Sequence, residues 1–196
     1  VKSKMKTAEK TMLSKLGTGL WNAGTTTDAI IGLRAWLSTS STVGGISQTS
    51  YSWWQSQLDS STTTLSLAAM QSTFNAASVD NMVPTVAFTN RTIYDLYYAL
   101  LQPQQRFVDS ETAKGGFKSL MFNGIPVIAD SYCPANNMVF LNEEYLHLFY
   151  HTAENFRMDP FIKPTNQNVR TAKIYWAGAF GCNNPRLQGR LSAIAG

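Results

Sequence analysis

The sequence predicts an α+β fold in which helical and extended segments pack as layers. Three observations carry this reading. Met5, Ala8, Met12, Leu13 and Leu16 recur at helical spacing. Val83 to Thr89 is a short apolar run followed by capping residues and a second helical pattern. Asn123-Gly124, the strongest short-range turn dipeptide, separates two apolar runs in the manner of a hairpin.

The elements follow in chain order. Residues 2–16 read as an amphipathic helix, with Lys2, Lys4, Lys6, Lys10 and Lys15 on its polar face and Gly17 and Gly19 ending it. Ala29 to Leu33, Ala35 to Leu37 and Thr42 to Ile46 read as strand, strand and glycine turn. Between Ser38 and Thr63, 14 of 26 residues are Ser or Thr, the composition of a flexible linker. Tyr51, Trp53 and Trp54 argue against a linker, because large aromatic rings are costly to leave in water. An ordered irregular loop is expected, its rings buried against the body or a neighbouring subunit.

Thr62-Thr63-Thr64 offers an N-cap for a helix through Leu65, Ala68, Ala69 and Phe74. Val83 to Thr89 reads as a buried strand. Thr89 or Asn90 then caps a helix with Ile93, Tyr94, Tyr97, Tyr98 and Leu101 on its apolar face, ended by Pro103. Leu120 to Phe122 and Pro126 to Ala129 form the Asn-Gly hairpin. Met138 to Leu141 and Tyr145 to His151 read as a second hairpin about Asn142-Glu143-Glu144, and residues 152–171 as irregular. Ala172 to Cys182 is a last long strand, and Arg186 and Arg190 lie in the tail.

Composition narrows the function. The 196 residues carry 16 Lys and Arg against 12 Asp and Glu, a net charge of +4, and only 14% are charged. A soluble domain carries about 25%. Apolar content is ordinary at 44%, and 18 Ser and 20 Thr replace the missing charge. This balance suits a surface largely covered by something else. No apolar run approaches the roughly 18 residues of a membrane span. Cys133 and Cys182 are too few for a disulfide scaffold or a four-cysteine zinc site, and point to a reducing compartment. The sequence opens at Val1 without an apolar signal segment, as a processed product or a fragment would.

The search for chemistry is mostly negative. There is no GxxxxGK[ST] loop, no GxGxxG after a strand, no HExxH and no GxSxG elbow. His147 and His151 read as strand residues, with Cα atoms about 13 Å apart at roughly 3.3 Å per residue, too far for one metal ion. Cys133 reads as a small buried side chain in a turn rather than a nucleophile. Glu143-Glu144 reads as a solvated turn, and Asn90-Arg91-Thr92 as a chance sequon. No catalytic, cofactor or metal residue is assigned. The lysines and the aromatic residues do not interleave, so a specific nucleic-acid reader is not expected.

Several stretches, taken in order, resemble the major capsid protein of tailed bacteriophages and prophages. They are the Lys-rich helix followed by Asp28-Ala29-Ile30-Ile31-Gly32-Leu33, then Thr42 to Ile46 leading to Tyr51-Ser52-Trp53-Trp54. Next come Leu101 to Phe107, Lys114 to Phe117 and Phe122 to Asp130. Met138 to Leu146, and Asn166-Gln167 with the strand Lys173 to Cys182, complete the series.

The resemblance implies the tailed-phage capsid shell fold. Residues 1–63 would hold the spine helix and following strands of a peripheral domain, 64–155 an axial domain, and 156–196 the return to the peripheral domain. Family members carry an N-terminal arm and an extended loop ahead of the spine helix, which this sequence lacks. The resemblance further implies a non-enzymatic, cofactor-free subunit assembling in the bacterial cytoplasm into pentamers and hexamers of a virion head. It implies homo-oligomeric contacts, with Tyr51, Trp53 and Trp54 at a subunit interface, and scaffold, portal or decoration proteins as further partners. It places Lys2, Lys4, Lys6, Lys10 and Lys15 against packaged double-stranded DNA in a sequence-independent contact. A hydrolase-type enzyme or a partner-binding module without a recognisable motif is the alternative.

Overall fold

The computed structural model describes residues 2–24, 30–61, 63–101, 120–166 and 168–195. Helix α1 spans Lys2–Leu20 and a single helical turn, α2, spans Leu33–Trp36. Strands β1 (Thr42–Val43) and β2 (Ile46–Ser47) form a small antiparallel pair around Gly44-Gly45. A 3-10 turn at Ser52–Trp54 leads to β3 (Gln57–Asp59). Helix α3 (Leu67–Ala76), β4 (Val86–Thr89) and α4 (Arg91–Leu101) follow. The remaining strands are β5 (Leu120–Phe122), β6 (Ile125–Ala129), β7 (Met138–Leu141), β8 (Leu146–Met158), β9 (Ile174–Cys182) and β10 (Gly189–Leu191).

Six strands form the central sheet in the order β3-β10-β7-β4-β6-β5. The β3–β10 and β4–β6 pairs are parallel and the others antiparallel. Alternation along β4 and β7 builds two cores. Ala87, Met138 and Phe140 join Met70, Phe74, Ile93 and Tyr97 of α3 and α4 on one face. Val86, Val139 and Leu141 meet Leu33 and Leu37 on the other, with Trp21 and Phe88 against them. All four residues of β7 are buried, as a strand covered on both faces requires.

The Asn-Gly hairpin forms as expected, with Asn123 at φ 47° and Gly124 at φ 80°. Asn90 caps α4, its Oδ1 accepting from the Ile93 N–H at 3.1 Å. Pro103 and residues 102–119, and with them two of the stretches that carry the resemblance in part, lie outside the described residues, as do residues 25–29 and Gln167.

Several expectations are corrected. Helix α1 continues through Gly17 and Gly19 to Leu20. Gly17 serves close packing under the Tyr132 ring, whereas a Cβ on Gly19 would meet Ile30 at an ordinary 3.5 Å; it is Gly32 whose Cβ would come within 2.5 Å of the Gly19 carbonyl. The segment read as strand at residues 35–37 belongs to the α2 turn and its C-cap Leu37, which set Leu33 and Leu37 on the sheet and Trp36 against Val43 and Cys182. The cap of α3 is Ser66, whose Oγ accepts from the Ala69 N–H at 3.1 Å. Thr63 and Thr64 are held instead along the C-terminal segment, Thr64 bridging Ala195 and the Thr63 carbonyl accepting from the Ala195 N–H, and Thr62 lies outside the described residues.

The second hairpin does not form. Strand β7 is enclosed by β4 and β10, so β8 leaves through a 3-10 turn at Glu143–Tyr145 and pairs with β9 instead. Strand β8 also extends into the segment read as irregular, as far as Met158.

Candidate functional site

Three surfaces carry the residues singled out above. The first is the aromatic loop. It is ordered, as expected, and the agents are two glutamines. Gln48 is fully buried; its Nε2 donates to the carbonyls of Trp36 and Trp54, and its Oε1 accepts from the Ser41 N–H. Gln55 Nε2 donates to the carbonyls of Gln48, at 2.7 Å, and Thr39. These bonds offset the cost of fixing so much Ser and Thr backbone.

Trp54 is half-buried. Its Nε1 donates to the Val43 carbonyl at 3.2 Å and its ring meets Trp36 edge-on at 6.1 Å. The body does not bury the other two rings. Trp53 is 60% exposed and Tyr51 51%, their centroids 5.9 Å apart. Their expected burial against the body is therefore corrected, because the 3-10 turn rotates only Trp54 inward.

The second surface is helix α1. Lys4, Lys6, Lys10 and Lys15 are exposed. They do not share one face, which corrects the amphipathic reading. At 100° per residue, Lys4 and Lys15 fall about 20° apart, whereas Lys6 lies about 180° from Lys15. Lys2 falls in helical register with Lys6 and Lys10. Leu13 lies on that same side and is 51% exposed. Lys4 and Lys15 instead line grooves between α1 and the β8–β9 hairpin. One, of about 540 Å³, adds Met5, Met158 and Ile174 to Lys4. The other, of about 660 Å³, adds Leu16, Phe156 and Trp176 to Lys15. The helix thus flanks the long C-terminal strand.

The third surface is the β8–β9 hairpin. It is a two-stranded sheet separate from the central one. Leu148, Phe149 and Tyr150 are exposed, Phe149 by 59%. The pairing shifts register between Asn155 and Arg157, and Phe156 between them takes φ 53°. Arg157 crosses this bulge to Glu154 and Asp159 at 3.2 and 3.6 Å and lies over the Tyr175 ring.

Candidate chemistry resolves into structure. His147 and His151 lie four apart on β8, and His147 Nε2 is 2.9 Å from Asn183 Nδ2. Among the described residues no three His, Cys, Asp or Glu side chains cluster as metal ligands. Cys133 is buried in a turn, where burial and then the Asp130 charge push its thiol up to about 12. Burial likewise pushes Cys182 up to about 12. Neither thiol has the lowered pKa of a nucleophile. Glu143 and Thr85 exchange hydrogen bonds at 3.0 and 3.2 Å, so that acid braces a corner. No helix among the described residues is long and apolar enough to cross a membrane.

No protein-family model and no curated protein sequence matches the chain. Solved structures do match. The chain is similar to a subunit of the cyanophage A-1(L) capsid asymmetric unit, with 19% identity and a TM-score of 0.70 over 98% of this chain and 69% of that one. It is similar to the holo-SrpI encapsulin complex from Synechococcus elongatus PCC 7942, with 8% identity and a TM-score of 0.67 over 98% of this chain and 65% of that one. The capsid of a native GTA particle matches at 10% identity and a TM-score of 0.63, over 100% of this chain and 66% of that one. The chain thus spans about two thirds of the length of these subunits. Its mixed α+β architecture is the shell fold of phage and GTA capsids, shared with an encapsulin.

Proposed function

We propose that the chain is the structural subunit of a closed icosahedral protein shell, assembled from many copies as pentamers and hexamers. The observation that carries this reading is the β8–β9 hairpin on a shell-type fold. A two-stranded sheet on its own is at best marginally stable, and this one, flanked by α1 along Phe156, Met158, Ile174 and Trp176, displays Leu148, Phe149 and Tyr150. Neighbouring copies would cover it, and would cover Tyr51 and Trp53 in the same way. Low charge and abundant Ser and Thr fit a surface made mostly of contacts.

The finer reading is a phage or prophage head enclosing double-stranded DNA, built in the bacterial cytoplasm, with no catalytic role. Residues 1–63 and 156–196 would form the peripheral domain and 64–155 the axial domain. The lysines of α1 would meet the packaged DNA, and scaffold, portal or decoration proteins would be further partners. The likeness to an encapsulin favours a second reading, a protein-filled compartment.

Electron microscopy of the expressed full-length protein tests the shell reading, and closed particles are expected. Nuclease-protected DNA inside them favours the phage head. Particles that package protein and no DNA favour the compartment. A monomer at every concentration and salt would overturn both.

A further inference from the structure

Arg34 and Arg190 line one cleft on the sheet face opposite α3 and α4, between Trp21, Leu37, Pro134 and Val139. Arg34 is exposed and Arg190 half-buried. Arg190 is oriented by neutral acceptors. Its Nε donates to Asn137 Oδ1 at 2.8 Å and its Nη1 to the Leu37 carbonyl at 3.2 Å. That leaves donors of the guanidinium fork unspent. Among the described residues no carboxylate lies within salt-bridge reach of either arginine. The nearby acid Asp130 is engaged elsewhere, accepting from Trp21 Nε1 and from the Tyr132 N–H.

Two guanidiniums sharing a cleft without an acid repel each other. Burial first, and then the Arg34 charge, lower the proton affinity of Arg190. Arg190 leaves no buried side-chain nitrogen unsatisfied, so its remaining donors open to water, where an anion is the partner that would pair with the charge. We propose that this cleft is an inter-subunit socket in which Arg34 and Arg190 of one copy clamp the carboxylate of an acidic side chain from a second copy.

Charge selects this occupant. The cleft holds about 10 Å³, room for about one oxygen-sized atom, so one carboxylate oxygen enters it while the rest of the side chain stands at its mouth beside the exposed Arg34. Two cations in an apolar frame lack the wider basic field with which proteins track nucleic-acid backbones. Arginine is suited to the role, because its planar fork binds a carboxylate through two parallel bonds. The socket rests on the shell reading, and the experiment separates the two.

Arg34→Lys keeps the charge and supplies an amine that a carbodiimide joins to a carboxylate in direct contact. Particles assembled from mixed 15N-labelled and unlabelled R34K subunits are treated with carbodiimide and digested. The expected product joins residue 34 to an Asp or Glu of a second copy, in mixed-isotope pairs. Only intrachain links, or none in particles that form, would overturn the socket while leaving the shell reading intact. Arg34→Glu is expected to lower particle yield about tenfold or more, the size of one interfacial charge contact, with unchanged melting of the unassembled chain. Wild-type yield of R34E particles with reduced DNA retention would overturn the carboxylate assignment in favour of a phosphate contact. Failure of the wild-type protein to form any particle would overturn the shell reading and, with it, a second copy as occupant.

Discussion

The indole Nε1 of Trp21 donates to Asp130 Oδ2 at 2.7 Å across 109 residues of sequence. The bond ties the exit of helix α1 to the end of β6, and the Trp21 ring packs edge-on against Phe88 at 6.2 Å. The same carboxylate holds the following turn, its Oδ1 accepting from the Tyr132 N–H at 2.9 Å. Trp21→Phe keeps most of the ring and removes the donor. We expect it to cost about 1.5–3 kcal/mol, the range for a hydrogen bond to a charged group, read as a lower denaturant midpoint with unchanged slope.

Gly32 is the second tether of α1. A Cβ there would meet the carbonyls of Gly19 and Leu20 at 2.5 and 2.6 Å and the Asn22 nitrogen at 2.7 Å, all backbone atoms that cannot swing aside. Gly32→Ala is expected to cost about 1–3 kcal/mol and to loosen the helix end. Hydrogen exchange would show the loosening as faster exchange of the Trp21 and Asn22 amides, which bond to Thr18 and Gly19.

Trp53→Ala separates folding from assembly. With Trp53 60% exposed, the variant should change the stability of the unassembled chain by no more than about 0.5 kcal/mol. Particle yield should fall. Wild-type yield would show that the ring lies outside every contact between copies.

The two sides of α1 make different predictions for DNA. Lys6 and Lys10 face away from the grooves that Lys4 and Lys15 line. Replacing Lys6 and Lys10 with Gln should reduce the salt dependence of DNA retention by about 0.9 per lysine in log–log slope. The Lys4 and Lys15 pair should matter less, and equal effects would place DNA on both sides.

The thiols set an alkaline limit. Cys133 and Cys182 are both pushed up to about 12, so the folded chain holds protons that the unfolded chain releases near the ordinary thiol range. Their contribution is whole below that range and is lost as pH rises toward about 12. Denaturant midpoints should therefore fall above about pH 8.5, and less steeply in the Cys133→Ala, Cys182→Ala double variant.

Local chemistry was legible in the sequence and tertiary pairing was not. Asn123-Gly124 and Asn90 act on residues within three positions, so their turn and cap could be read directly. Ser66 was missed because the competing Thr63 and Thr64 are engaged by Ala195, far along the chain. The run Met138 to Leu141 signalled a strand of a hairpin, but nothing local shows that β4 and β10 take both its edges and send β8 to β9. The aromatic loop was recognisable from its rings, while the rotation that leaves Tyr51 and Trp53 outside depends on Gln48 reaching the Trp54 carbonyl. Arg34 and Arg190 carry no shared motif. The fold alone brings them together.

Strand β10 lies between β3 and β7, and Leu191 and Ile194 are fully buried in the core formed with α3 and α4. During synthesis, residues 57–59 therefore wait for a partner made some 130 residues later, an interval of roughly 7–26 s at about 5–20 residues per second. Until residues 189–194 leave the ribosome the sheet stays open, its edges unpaired. The body of a nascent chain thus cannot close before its own translation has run past this strand.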